Sequence, residues 1–281
     1  MVVMVSKGFI VLAQNTDQVD YVKQAYALAL SIKFSQKEVK YISLVTNDEV
    51  PEEYKSVFDY IIPIPWNDDA LESNWKVENR WKLYYCTPYD ETIVLDTDML
   101  VLDDINDWWE YCSQHDIHFC SNIKNYKLEN VIDDVHRKTF IANDLPNIYF
   151  GLHYFKKNEN AFQFYKILEF VCNNWEHLYG SIAPNEYQNW LSMDVSSAIA
   201  AKIYGSDVNN STSPLHFVHM KPRIQGWVNI PEKWTDAVHY SMNKRGEFVV
   251  GNIKQTKIFH YVDKNLITPE ILLRLKELSN G

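Results

Sequence analysis

Two aspartates separated by one residue interrupt an apolar segment in the first half of this 281-residue chain. The segment, residues 92–102, is otherwise rich in Ile, Val and Leu, which predicts a strand buried on both faces. Charge is costly to bury in such a strand unless it is paired or binds a metal. Because residues i and i+2 of a strand point to the same side, Asp96 and Asp98 are predicted to aim both carboxylates into one cleft. Hard oxygen ligands of this kind suit Mg²⁺ or Mn²⁺.

The same two aspartates are also compatible with a simpler interpretation. Asp is common in tight turns at strand ends, where its side chain hydrogen-bonds the local backbone. An Asp-x-Asp pattern by itself is frequent by chance, and the apolar surroundings are what strengthen the metal interpretation. The residues alone leave both the metal site and the turn open.

The elements before this segment alternate between strand and helix. Predicted strands cover residues 9–13, 41–45 and 60–62, and predicted helices follow the loop with capping candidates at residues 14–17, open at residue 51 and start at about residue 75. This alternation predicts an α/β protein with a mostly parallel central sheet flanked by helices. In such sheets, ligands bind beyond the carboxyl ends of the strands. Polar clusters follow three of the predicted strands, at residues 14–17, 46–48 and 96–98.

The second half of the chain gives a mixed pattern. Strands are predicted at residues 149–155, 215–220 and 256–262, and a hairpin turn at 243–247. Helices are predicted at residues 158–178 and 186–204, and a last helix starts at Thr268-Pro269. Residues 122–146 show no clear periodicity. Since no repeat or linker is visible, a single domain covering residues 1–281 is predicted.

Composition excludes several classes of function. The net charge of −10 argues against nucleic-acid binding and against electrostatic docking on an anionic membrane. The cysteines form no CxxC pair, which predicts reduced thiols in a cytoplasmic protein. Residues 1–13 predict a first strand rather than a signal peptide, and no apolar segment approaches the about 20 residues of a membrane span. Glycosylation sequons at residues 209–212 carry little meaning without secretion.

Taken together, these motifs resemble a known family. The strand and helix of residues 9–31, the Arg80-Trp81-Lys82-Leu83 helix and the Ile-Val-Leu-Asp-Thr-Asp-Met run of residues 93–99 resemble the metal-dependent glycosyltransferases of the GT-A fold. The chain is most similar to glycosyltransferase family 8, the group of glycogenin and the bacterial lipopolysaccharide galactosyl- and glucosyltransferases. The resemblance covers roughly the first 200 residues. It implies a nucleotide-sugar half of about residues 1–121 and an acceptor-side half of about 122–281.

The resemblance also implies a set of site residues. Those expected to bind the nucleotide sugar are Ala13, Asn15, Thr16, Tyr21, Arg80, Lys82, Asp96, Thr97, Asp98 and Lys264. Asp96 and Asp98 are expected to bind Mn²⁺ or Mg²⁺, and a histidine near the C-terminus completes the metal shell. His260 is favoured over His219, and His219 over His216, because the apolar strand before His260 lies nearest the C-terminus. A lone histidine on an apolar strand is also common in protein cores, so a structural role stays open for each.

The acceptor side departs from the family pattern. The family has Asn-Ser-Gly at the start of the strand predicted from residue 149, whereas this chain keeps Gly151 and displaces the Asn. The family also has an Asp-Gln pair at a helix start, and here Asp194 is present without the Gln. Asp194 and Lys82 are the predicted catalytic residues. For Asp194, a helix N-cap is the alternative.

The function implied is transfer of a hexose from a UDP-sugar to an acceptor hydroxyl, with retention at the anomeric carbon. The acceptor is an unidentified carbohydrate, lipid or protein, and a homodimer is compatible with the sequence. One alternative is a sugar nucleotidyltransferase, although residues 14–17 lack the glycine and positive charge of its phosphate loop. The other is a non-catalytic carbohydrate-binding protein, since nine Trp and eighteen Tyr are compatible with sugar stacking.

Overall fold

The chain alternates short strands and helices along its whole length. The computed structural model describes residues 6–70, 76, 78–132, 134–184, 190–205, 208–209 and 212–280, with the backbone alone for 134–136. The strands are β1 Lys7–Leu12, β2 Ile42–Val45, β3 Tyr60–Ile62, β4 Glu91–Leu95, β5 Met99–Val101, β6 Ile117–Cys120, β7 Asn122–Lys124, β8 Asn130–Val131, β9 Tyr149–Lys156, β10 His216–His219, β11 Tyr240–Met242, β12 Phe248–Val250, β13 Ile253–Lys254 and β14 Ile258–His260. The helices are α1 Tyr21–Ser35, α2 Glu52–Lys55, α3 Leu83–Cys86, α4 Asn106–Cys112, α5 Asp134–Ala142, α6 Glu159–Asn173, α7 Trp175–Ile182, α8 Met193–Tyr204 and α9 Pro269–Ser279.

A six-stranded sheet with the order β3-β2-β1-β4-β9-β6 forms the centre. The first four of these strands are parallel, and β9 runs antiparallel to both β4 and β6. Side chains of β1 alternate between two buried clusters: Phe9 and Val11 pack with α1, and Ile10 packs with α6 and α8. The predicted α/β fold with a mostly parallel sheet between helices is therefore confirmed.

A second sheet carries the C-terminal strands to the same region. Its order is β5-β14-β10-β7-β8, with β7, β10 and β14 parallel and β5 antiparallel to β14. The chain between β10 and β14 forms a small antiparallel sheet with the order β11-β12-β13. The predicted hairpin turn at residues 243–247 joins β11 to β12, with Gly246 in the left-handed region at φ +81°.

The predicted continuous strand over residues 92–102 is wrong. β4 ends at Leu95 in the first sheet, and β5 begins at Met99 in the second. The turn between them carries Asp96 and Asp98, so the turn interpretation of their backbone is correct. Both ends of this turn are fixed by backbone hydrogen bonds, because the Asp96 N–H donates to the Gly151 carbonyl and the Asp98 carbonyl accepts from the N–H of Tyr261.

Several helices differ from the sequence prediction at their ends. The helix predicted at 158–178 divides at Asn174, whose φ of −119° and ψ of 25° are not helical. Arg80–Lys82 is a 3₁₀ turn that leads into α3. The predicted starts at residues 75 and 186 and the sequon residues 210–211 lie outside the described residues. Ser192 caps α8 by accepting from the Val195 N–H, so the N-cap alternative for Asp194 is wrong.

Other helix signals agree with the structure. Asn158 caps α6, Thr268 caps α9, and α8 ends at Gly205 with φ +76°. Within the described ranges, none of the helices has the length and apolar character needed to cross a membrane.

Candidate functional site

The turn between β4 and β5 meets the end of β14 at a cluster of three possible metal ligands. One ligand atom each from Asp96, Asp98 and His260 lies within 4.8 Å of the other two. The Nε2 atom of His260 is 3.0 Å from Oδ2 of Asp98. Two carboxylates and an imidazole are a donor set that suits Mn²⁺ or Mg²⁺, with His favouring Mn²⁺. These residues therefore fit a divalent metal ion.

Gly151 on β9 makes room for one of these carboxylates. A Cβ built on Gly151 would lie 2.5 Å from Oδ2 of Asp96, a distance that real Cβ contacts do not show. The absence of a side chain at this position therefore allows Asp96 to lie against the β9 backbone.

Two basic side chains neutralise the aspartates. Arg80 donates to Oδ1 of Asp96 at 2.8 Å, and Lys264 donates to Oδ2 of Asp98. Burial alone would raise the pKa of Asp98, but His260 and Lys264 outweigh burial and hold that pKa well below its usual value. The cluster thus keeps the Asp98 carboxylate ionised and ready to bind a cation.

Two neighbouring histidines lie close to the cluster but outside it. His219 is paired with His260 between β10 and β14, and the two rings stack at 4.7 Å between centroids with planes 2° apart. Nδ1 of His219 and Nδ1 of His260 are both buried, with no hydrogen-bond partner among the residues that the structure describes. His216 instead lies 5.6 Å from the ring of Trp108. Of the three predicted candidates, the structure brings His260 into the cluster.

A cavity of about 210 Å³ opens on the α1 side of the cluster and is called the first cavity. Tyr21 contributes to its wall, and Lys264 Nζ lies 5.8 Å from the Tyr21 ring centroid. The cavity is lined by Leu12, Gln14, Tyr21, Lys76, Arg80, Asp96, Thr97, Asp98, His260 and Lys264. It therefore combines an aromatic wall with basic side chains, as a site for a nucleoside diphosphate requires.

A second cavity of about 210 Å³ lies on the β9 side. It shares Arg80, Asp96 and His260 with the first cavity. Its other walls come from β9, the start of α8 and the end of β10, with Trp190 45% exposed at its edge. Asp194 lies on this wall, while a larger cavity of about 500 Å³ beside β11 contains none of the predicted site residues.

Comparison with known proteins gives matches in structure only. No protein-family model and no curated protein sequence matches this chain. The galactosyltransferase LgtC, in complex with donor and acceptor sugar analogues, superimposes with a TM-score of 0.52 at 14% identity over 97% of this chain and 95% of LgtC. The bifunctional glycosyltransferase WbbM gives a TM-score of 0.53 at 12% identity over 100% of this chain and 50% of WbbM.

The chain has the GT-A glycosyltransferase fold. A further match, the glycosyltransferase GlyE of Streptococcus pneumoniae TIGR4, has a TM-score of 0.38 at 15% identity over 73% of this chain. The chain spans 45% of the length of GlyE and half that of WbbM. In this GT-A fold the three-ligand cluster lies at the carboxyl end of β4, where the parallel part of the sheet meets antiparallel β9.

Not all residues predicted for the nucleotide sugar line the first cavity of this GT-A fold. Asn15 Oδ1 accepts from the N–H of Val22, and Thr16 Oγ1 accepts from the N–H of Val19, so both side chains shape the loop before α1. Ala13 is fully buried. Tyr21, Thr97 and Lys264 do line the cavity.

The two basic residues of the 3₁₀ turn point in different directions. Arg80 lines both cavities, whereas Lys82 lines neither. Lys82 is 4% exposed and donates to Asp68 and Asn79, so it connects the segment at residue 68 to the 3₁₀ turn beside the first cavity. Both residues were expected to bind the nucleotide sugar, and the cavity walls favour Arg80.

Several residues at the site were given no individual role by sequence reasoning, among them Gln14, Trp190 and Arg137. Gln14 lines the first cavity, and its polar character next to a strand end was the available signal. Trp190 at the edge of the second cavity gave no signal beyond its residue type. Arg137, which pairs with Asp194 at 2.8 Å, lies in the stretch 122–146 that showed no periodicity.

Proposed function

We propose that this protein transfers a hexose from a UDP-sugar to an acceptor hydroxyl, with Mn²⁺ or Mg²⁺ bound by Asp96, Asp98 and His260. The observation that carries the proposal is that these three residues meet between two cavities, with Asp96 and His260 lining both and Asp98 lining the first. The first cavity is assigned to the nucleotide sugar and the second to the acceptor. The transferred sugar would lie between them, beside Asp96.

The chemistry follows from the charges at this wall. Departure of the nucleoside diphosphate develops negative charge on its phosphates, and a divalent ion held by Asp96, Asp98 and His260 would supply the Lewis-acid stabilisation of that charge. Arg80 and Lys264 are placed to donate charge-assisted hydrogen bonds to the same phosphates. Tyr21 offers a ring face to the base or ribose on the α1 side.

The comparisons support glycosyl transfer as the class of reaction. LgtC was solved with donor and acceptor sugar analogues, and its likeness extends over 97% of this chain. Transfer of a hexose, the uridine nucleotide and retention at the anomeric carbon are parts of the proposal that rest on the family 8 motifs. The chemical class of the acceptor stays open between carbohydrate, lipid and protein.

The test is UDP release from a panel of UDP-sugars with Mn²⁺, with Mg²⁺ and with EDTA. We expect release that requires the metal and falls by at least about 100-fold in Asp98→Ala. A matched control is Asp107→Ala, because Asp107 lies on α4, pairs with Lys257 and is away from both cavities. This control should retain wild-type release.

Two results would contradict the proposal in different ways. Release that is unaffected by EDTA and by Asp98→Ala would exclude the metal site. Folded protein whose melting temperature is unchanged by UDP with Mn²⁺, and that releases no UDP, would exclude the nucleotide site. Sugar binding without metal in that second case would favour the carbohydrate-binding alternative.

A further inference from the structure

Arg137 is a buried cation that contacts the wall of the second cavity from behind, through Asp194 and Tyr149. It is 5% exposed, and it donates through Nη2 to Oδ2 of Asp194 at 2.8 Å and through Nη1 to the Ile148 carbonyl at 2.9 Å. Its guanidinium carbon lies 3.7 Å from the centroid of the Tyr149 ring, which is cation–π distance. Arg137 therefore ties α8, which carries Asp194, to the start of β9.

The Asp194 carboxylate is held from two sides by this arrangement. Its Oδ1 accepts from the Phe150 N–H at 2.8 Å, and its Oδ2 accepts from Arg137. A carboxylate has about four acceptor positions, so these two contacts leave about two for a ligand. The Asp194 side chain is 33% exposed and lines the second cavity, which places the remaining acceptor positions where a ligand can reach them.

Contacts also connect Arg137 to the metal-ligand cluster. The Tyr149 ring, which Arg137 covers, is in edge contact with the ring of His219 at 6.4 Å. His219 in turn stacks on His260 at 4.7 Å. One packed series of side chains therefore runs from Arg137 to His260, and its members Tyr149, His219 and His260 line the second cavity.

We propose that Arg137 is a positioning residue, which holds the Asp194 carboxylate in the orientation needed to accept a hydrogen bond from a hydroxyl of the bound sugar. This inference rests on the proposed glycosyl transfer and adds a residue to it. Arg is suited to the task because its planar fork can donate to two elements at once while its face stacks on an aromatic ring. A lysine would keep the charge and lose both the fork and the stacking.

The test compares Arg137→Met, Arg137→Lys, Asp194→Asn and the double variant Arg137→Met/Asp194→Asn. The measurements are the melting temperature, the Kd for UDP in the presence of Mn²⁺, and the kcat of UDP release from the best donor of the panel with methyl hexosides as acceptors. Arg274→Met is the control for loss of a surface charge, since Arg274 pairs with Glu277 within α9.

We expect Arg137→Met and Asp194→Asn each to lower kcat by about 100-fold, because a shift of about 1 Å at a reacting group has an effect of this size. The Kd for UDP should stay within about twofold of wild type, since neither residue lines the first cavity. The double variant should lose no more kcat than either single variant. Arg137→Lys should fall between wild type and Arg137→Met.

The melting temperature separates positioning from a purely structural role. Arg137→Met leaves Asp194 without its charge partner and should lower the melting temperature, whereas the double variant removes both charges and should recover part of that loss. If kcat recovers together with the melting temperature in the double variant, or if Arg137→Met keeps wild-type kcat, the inference is wrong. Wild-type protein that neither binds UDP with Mn²⁺ nor releases UDP would instead overturn the proposed function, and the inference with it.

Discussion

Gly151→Ala is a small change with a large expected effect on the metal site. The added Cβ would lie 2.5 Å from Oδ2 and 2.9 Å from Cγ of Asp96, and ordinary van der Waals contact begins at 3.4 Å. The carboxylate would therefore have to retreat by about 0.9 Å to reach ordinary contact. The backbone of Gly151 is outside the left-handed region, so alanine adds no backbone strain there.

The magnitude follows from how precisely metal ligands must be placed. Distances in a metal site are held within about 0.2 Å, so a retreat of about 0.9 Å is several times larger than the site tolerates. We expect Gly151→Ala to weaken Mn²⁺ binding by about 10- to 100-fold, the range seen when a residue that orients a metal ligand is changed. The assay is titration calorimetry with Mn²⁺ in the presence of UDP. UDP release should fall in parallel.

Gly180→Ala is the matched control. Gly180 lies within α7, and a Cβ built on it meets no atom within 4 Å. We expect this variant to bind Mn²⁺ as wild type does and to gain about 0.5–1 kcal/mol in the free energy of unfolding, because alanine loses less backbone entropy than glycine. Unchanged Mn²⁺ affinity in Gly151→Ala would show that the close approach of Asp96 to β9 has no role in metal binding.

Three further predictions concern charge. Lys264→Met should raise Mn²⁺ affinity by about tenfold in the absence of nucleotide, because Lys264 competes with the metal for Asp98. The same variant should weaken UDP binding with Mn²⁺ by about tenfold. Calorimetry measures both affinities, and changes of the two in the same direction would contradict the prediction. Arg80→Met should weaken UDP binding by about tenfold and Lys82→Met by less than about threefold, which the same titration measures. Burial lowers the pKa of His153 to about 3 and of His118 to about 4. The two histidines take up protons near pH 6.5 in the unfolded chain, so the free energy of unfolding should fall as the pH drops below that value, by about 1.4 kcal/mol per histidine at pH 5.5. Denaturant titrations between pH 7 and 5 measure the loss. A free energy of unfolding that is flat over that range would refute the prediction.

The fold could be predicted because its signals are local. Apolar runs such as residues 9–13 and 41–45 are short, buried on both faces and separated by helical spacing, and this pattern determines a parallel sheet between helices. The polar residues after these strands then had to lie at one edge. Antiparallel β9 was recognised as a strand, but its direction depends on the long connection before it, in which residues 122–146 show no clear periodicity.

Asp96 and Asp98 lie close together with His260 at the sheet edge, although the geometric argument that brought the two aspartates together was wrong. The sequence placed Asp96 and Asp98 on one face of an extended strand, whereas they lie in a turn between two sheets. The predicted location was unaffected, because a carboxylate pair inside an apolar run needs charge or hydrogen-bond partners. A strand face and a strand-end turn both place the pair at the same edge of the sheet. What the pattern could not give is the pairing of Asp98 with His260 and Lys264, which are more than 160 residues further along the chain.

Side chains that contact the cavity-lining residues without lining a cavity themselves are the hardest to predict from a sequence. Arg137 and Asp194 are 57 residues apart, and nothing in the neighbourhood of either one indicates the other. The same is true of Lys82, which a motif places at the nucleotide and the structure places against Asp68. A motif specifies which residue types occur at a strand or helix end, but the direction of a long side chain is decided by the nearest partner in space. For Lys82 that partner is provided by the chain at residue 68, so Arg80 rather than Lys82 remains to face the cavity.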